Sequence, residues 1–255
     1  MEISIPKTSE VMKALLKADY TTLWRNRRAN MMVLLVPIII VVTWKGFVDK
    51  SGAGGAFVLS NAITLGLVAI GLMGYTNSVA RDRDKGIFQR LRVSPLPLWT
   101  IMASRLIVQL SLILLLTLIV FITGYNFDHI TMSFAGYLVA FIASIVGGAV
   151  YLSLGQVIVG RIQNPETVNS TARLVYFAFI MVGMIGEILI VSEPKLKWVK
   201  DIVTWSPYGT VKDILEAGLE PSKWNNHTTE ALLVTLGYTI VFAVLGIRWF
   251  KWSTK

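Results

Sequence analysis

The sequence predicts an all-α integral membrane protein with six transmembrane helices, and three observations carry that prediction. Hydrophobic residues make up 54% of the 255 and charged residues only 15%, against about 25% charged in a typical soluble domain. The apolar residues gather into long uncharged blocks, the pattern of lipid-embedded helices rather than of a soluble core. The Lys and Arg, which bring the net charge to +9, sit in short segments between the blocks, where in a membrane protein they set orientation. Charge placed in this way does not point to nucleic acid. Residues 1–255 read as a single membrane domain.

Residues 8–29 come first. Val11, Met12, Leu15, Leu16, Leu23 and Trp24 recur at roughly helical spacing, with Lys13, Lys17 and Arg25 on other faces. This predicts an interfacial amphipathic helix leading into the first span. The first apolar block, 31–48, is short for a span of about 20 residues, and its Pro37 predicts a kink. The second, 56–80, holds no charge. The remaining blocks cover 98–123, 133–159, 174–192 and 231–250. In lipid every backbone donor and acceptor must pair internally, so each block is expected to be a helix. Ala143 and Gly147, four apart, suit close helix contacts, either within one subunit or between subunits.

The basic residues give the orientation. Segments 1–30, 81–97, 160–173 and the C-terminal end hold sixteen of the 24 Lys and Arg, while the opposite side holds seven. The positive-inside rule then places both termini in the cytoplasm, and an even number of spans agrees. Segment 193–230 falls outside. It carries Trp198, Trp205, Tyr208 and Trp224 and a short helix expected at Thr210–Leu219. Its aromatics suit a membrane surface. Whether it dips back into the bilayer is left open by the sequence.

Catalytic chemistry is not expected. There is no cysteine, the two histidines (His129 and His227) fall in loops, and no glycine-rich phosphate loop is present. No metal or cofactor site is predicted in this chain. An ionisable group inside a span is costly and marks a functional candidate. Glu187 in the fifth block is one, open to two readings: a pathway or gating residue, or a structural carboxylate near the outer interface. Asn61 and Thr64 in the second block join it as candidate pathway residues. Arg105, near the inner end of the third block, is expected to snorkel to the surface.

The most informative segment is the link after the second block, 81–97. Asp82, Arg83, Asp84 and Lys85 alternate in sign, Gly86 follows, and Ile87, Phe88 and Leu91 offer a small apolar face. Pro95 and Pro97 are expected to end the helix. Asp82 to Pro95 resembles the cytoplasmic stretch of type-2 ABC transporter permeases of the daunorubicin-resistance-like exporter class. In that class the pattern runs acid-Arg-acid-basic-Gly, then an Arg-Leu pair and a Thr-Pro. Asp82, Arg83, Asp84, Lys85 and Gly86 keep the first part. Arg90, Leu91, Val93, Ser94 and Pro95 follow in register, while Ile87, Gln89 and Arg92 depart. Trp24-Arg25-Asn26, the six spans, the long external segment and Trp205-Ser206-Pro207-Tyr208 extend the resemblance.

The resemblance implies the transmembrane subunit of an exporter in a bacterial plasma membrane. It implies two permease subunits, identical or not, and two copies of a separate ATP-binding subunit that holds ATP and Mg. Asp82, Arg83, Asp84, Lys85, Gly86, Ile87, Phe88, Arg90 and Leu91 would form the coupling helix seated on that subunit. The implied cargo is an amphipathic or lipophilic drug or antibiotic. A polysaccharide or teichoic-acid exporter shares the architecture, and an ATP-independent carrier or channel is the reading from another class.

Overall fold

The computed structural model describes residues 7–25, 27–51, 54–92, 98–186, 189 and 197–251. Among them the regular structure is helical, with no strand. α1 (Thr8–Arg25) leads to α2 (Arg27–Ser51). α3 (Gly55–Val68) runs through a π-helical stretch, Ala69–Tyr75, into α4 (Thr76–Asp84). The short α5 (Ile87–Arg92) precedes α6 (Leu98–Asp128) and α7 (Phe134–Arg161). α8 (Pro165–Ile180) also passes into a π-helical stretch, Met181–Gly186. α9 (Lys197–Trp205), α10 (Pro207–Leu219) and α11 (Asn226–Trp249) follow.

Among the described residues four helices are long and apolar enough to cross a membrane: Gly55–Asp84, Trp99–Asp128, Phe134–Arg161 and Asn226–Trp249. They match the second, third, fourth and sixth blocks. The first block lies within α2, where the apolar run is Val33–Trp44 and Pro37 sits inside the helix without ending it. The fifth lies on α8 and its π-helical end. Glu187 lies outside the described residues, as do 93–97.

Capping residues set several helix starts. Ser133, Asn164, Ser206 and Asn225 accept backbone N–H bonds at the starts of α7, α8, α10 and α11, where unpaired donors need an acceptor. Ser206 and the following Pro207, favourable at the first helical position, start α10 three residues before the expected Thr210.

Segment 193–230 contains two helices joined at Ser206, α9 and α10, here called the hairpin, of which α10 is inserted among the long helices. Leu219, at the end of α10, meets Gly136 near the start of α7. At the other end, the Pro207 carbonyl accepts the Tyr151 hydroxyl at 3.0 Å. The stretch of α7 between those two positions is about 22 Å long at the usual helical rise. α10 therefore lies at the depth of the candidate spans and buries Tyr208, Val211, Ile214 and Leu215 among them. The Trp205 carbonyl accepts the Tyr238 hydroxyl of α11 at 2.8 Å. We call this the hairpin end of the bundle and the end carrying α5 the link end.

α7 packs closely against the helix that carries the Ala69–Tyr75 π-helical stretch. A Cβ on Gly71 would lie 2.6 Å from the Tyr151 backbone carbon, and one on Gly155 would lie 2.7 Å from the Gly71 oxygen. Thr76 Oγ donates to that same oxygen at 2.8 Å. Small residues let two backbones approach where no hydrophobic drive separates helix from lipid. Gly155→Leu is expected to lower the thermal stability of the detergent-purified protein by about 1–3 kcal/mol, the usual cost of overpacking. Gly237→Leu, which meets open space, should leave the melting temperature unchanged. Equal melting for both would mean that the seam tolerates a side chain.

Candidate functional site

The helix of the second block was expected to stop at residue 80. It continues to Asp84 because its charged residues have partners. Arg83 is fully buried. Its Nη1 donates to the Val159 carbonyl at 2.7 Å, and its Nη2 donates to those of Ile162 at 2.6 Å and Gln163 at 3.0 Å. These carbonyls lie where α7 ends and the chain turns into α8. A helix C-terminus has unpaired carbonyls and a partial negative charge, so a guanidinium satisfies both.

Arg105 was expected to snorkel. It does not, because two carboxylates and an aromatic ring surround it. It forms an ion pair with Asp82 and a second with Asp19 of α1 at 3.6 Å. Its guanidinium carbon stands 5.3 Å from the centre of the Phe88 ring, within cation–π range. Ser104 donates to Asp19 at 2.7 Å. The cluster ties α1, α4, α5 and α6 together. Burial pushes the Asp19 carboxyl above its ordinary range, while Arg105 and Ser104 oppose the shift.

The sequence suggests one helix across the link with Gly86 inside it. The structure instead breaks the helix at Lys85 and Gly86. Gly86 has φ +67°, the left-handed value that a glycine adopts without strain at a helix C-terminus. The apolar face expected to receive a partner is also turned inward. Phe88 is fully buried and meets Phe250 edge-to-face at 5.9 Å between ring centres. Leu91 packs on the core and Ile87 is half-buried. The exposed edge is polar: Arg81, Asp84, Lys85, Gln89 and Arg90.

Above the link lies a cavity of about 690 Å³ bounded by α1, α2, the α3–α4 helix, α6 and α8. Arg81, Asp84 and Glu166 line it at the link end, whereas Val33, Val36, Ala69 and Val108 supply apolar wall further along the helices. Between them stand Asn77, Gln109 and Arg173. These three went unnoticed in the sequence as site residues. For Asn77 and Gln109 the signal was there, since polar groups inside apolar blocks are functional candidates by default, whereas Arg173 stands just before the fifth block and read as an orienting charge.

Asn61 and Thr64 do not line this cavity. Both are fully buried. Asn61 accepts the Tyr208 hydroxyl at 2.7 Å and donates to the Phe57 carbonyl at 2.9 Å, while Thr64 donates to the Ser60 carbonyl at 2.7 Å. Asn61 thus holds the hairpin against α3, while Thr64 bonds within its own helix.

Two expectations follow for the link cluster. Arg83→Gln removes donors from three carbonyls and should cost about 2–3 kcal/mol, the penalty for buried groups bonded to a charge. Thermal unfolding measures it, and faster hydrogen exchange at 159–165 should accompany it. Asp19→Asn tests the buried carboxyl. An acid whose pKa is raised on folding contributes stability that is complete below its unfolded pKa and lost as pH rises through the folded one. The asparagine variant should therefore melt no lower than the parent at pH 7 and show a flatter pH profile. A variant clearly less stable at pH 7 would mean that the Arg105 pair outweighs burial.

Comparison with known proteins agrees with this architecture. Residues 10–209 match the family model described as ABC-2 type transporter. No curated protein matches the chain significantly. The match spans α1 through the start of α10, including the link, the cavity and the cluster around Arg105. The chain belongs to the ABC-2 type transporter family and is a membrane permease subunit of an ABC transporter.

Proposed function

We propose that the protein is the transmembrane subunit of an ATP-driven exporter that moves an amphipathic or lipophilic compound, of the drug or antibiotic class, across a bacterial plasma membrane. α2 and α8 cross as well, giving six spans with both termini cytoplasmic, and the link end faces the cytoplasm. A separate subunit binds ATP and Mg. Two permeases and two such subunits assemble.

The observation that carries this reading is the link. Its outward edge is charged and without apolar anchors, while its inward residues are fixed to the permease at separate places. Arg83 holds the α7–α8 junction, Arg105 joins the link to α1 and α6, and Phe88 meets Phe250 beyond α11. A partner seated on Arg81, Asp84, Lys85, Gln89 and Arg90 would move all three together. ATP binding elsewhere would then bias a two-state bundle. The cavity opening at the link end fits a state that accepts cargo from the cytoplasmic side.

The test separates docking from folding. Lys85→Glu combined with Arg90→Glu should abolish copurification of the ATP-binding subunit while the permease keeps its melting temperature. Phe88→Ala should instead lower the permease's own stability by about 3–5 kcal/mol. For orientation, Gln89→Cys should resist an impermeant thiol reagent in intact cells and Ser222→Cys should label, since the chain has no native cysteine. Full retention of the ATP-binding subunit by the double reversal would overturn the docking assignment.

A further inference from the structure

We infer that the cavity above the link is a binding site for an amphiphile with an anionic, donor-bearing polar end, such as a phosphate monoester. The inference deepens the exporter reading, on which it rests, by naming the chemistry of the molecule accepted.

The charges at the cavity divide into three groups. Arg105 is neutralised by Asp19 and Asp82. Arg81, Asp84 and Glu166 stand exposed at the link end, next to water. Arg173 is exposed as well, but it stands further along α8 than they do along their helices' link ends. It lies eight residues into α8, followed by Leu174, Val175, Tyr176 and Phe177. Among the described residues no carboxylate pairs with it. A cation facing the cavity from an apolar helix offers an anion its complement.

Two further observations point to a ligand. Gln109 is only 8% exposed, and its Oε1 has no hydrogen-bond partner. Asn77 Oδ1 is likewise buried without one. Buried acceptors left unpaired are costly and rare, so a donor from outside the chain is the natural complement. A phosphate monoester supplies both needs at neutral pH: its anionic oxygens accept from a guanidinium, and its P–OH donates to a carbonyl oxygen. Val33, Val36, Ala69 and Val108 on the same wall accommodate an alkyl tail. Gly74 leaves the space open, because a Cβ there would meet only Gln109 Oε1, at 3.8 Å.

The experiment uses the full-length permease alone in phosphatidylcholine nanodiscs. The probe is a pyrene-tagged dodecyl phosphate, read by energy transfer from tryptophan against empty discs. The parent should bind it saturably. Arg173→Gln should weaken binding about tenfold, as expected for loss of a charged hydrogen bond, and Arg173→Lys should recover most of it. Gly74→Leu should occlude the site, and Gln109→Leu should weaken binding less than Arg173→Gln. Dodecyltrimethylammonium should compete poorly. Inorganic phosphate should compete poorly too, because it lacks the tail.

Discs containing phosphatidylglycerol separate two sources of the same chemistry. Displacement of the probe assigns the site to an anionic membrane lipid, and persistence assigns it to a single-chain cargo. Parent-like binding by both Arg173→Gln and Gly74→Leu would overturn the site. Equal competition by the ammonium probe would overturn its charge preference. No ATP-binding subunit is needed, so failure here is distinct from failure of the docking test.

Discussion

A guanidinium buried away from water must place its donors on protein acceptors, and Arg83 finds three backbone carbonyls at the α7–α8 junction. Much of the link end depends on that requirement. Uncompensated, a buried charge would be several kcal/mol unfavourable, so α4 and the junction are held at fixed distance. Once α4 is fixed there, Asp82 faces α6 and pairs with Arg105, which in turn reaches Asp19 on α1. The same geometry brings Phe88 beneath Arg105 and against Phe250. Helices separated in sequence are thus bound through polar contacts whose alternatives are unpaired buried groups.

Above the link cluster the bundle is built on packing. Gly71 and Gly155 bring α7 against the helix carrying the π stretch, and the hairpin fills the space among α3, α7 and α11. Its polar contacts with α3 and α7 include Asn61 with Tyr208 and Tyr151 with Pro207. Polar groups at such depth must find partners, which is why Asn61 and Tyr208 meet across a long sequence separation. Asn61 thereby attaches the hairpin to α3.

The sequence made the helical class, the apolar blocks and the link legible, because hydropathy and the run from Asp82 to Gly86 are local signals. Gly86 was legible as a special position, although its left-handed turn was not, since a lone glycine reads equally as a bend or a close approach. Which side of α5 faces the bundle could not be read. Ile87, Phe88 and Leu91 form an apolar face whether it meets a partner or the permease, and the choice is made by Phe250 and Arg105, far away in sequence. For the same reason Arg105 looked like a snorkelling residue: its acids, Asp19 and Asp82, lie 86 and 23 positions away. The depth of the hairpin was likewise hidden, because aromatic residues suit a membrane surface and a buried helix alike.

The continuous helix from Gly55 to Asp84 joins these regions. It ends in the link cluster, passes along the cavity and carries Asn61 at the hairpin. Between cluster and hairpin it changes from α to π over Ala69–Tyr75, a form that is rare and often placed at functional sites. Packed cores respond to force by switching between arrangements more readily than by bending evenly. In the exporter reading, force applied at Asp84 would travel along α4 to the π stretch before reaching Asn61. Ala69, Met73 and Gly74 of that stretch line the cavity, while its Gly71 oxygen already accepts from Thr76 and lies against Gly155. This π-helical segment is therefore also a wall of the chamber. Cargo held there and an ATP-binding subunit seated on the link would act on one element, which is the physical condition for coupling between the two sites.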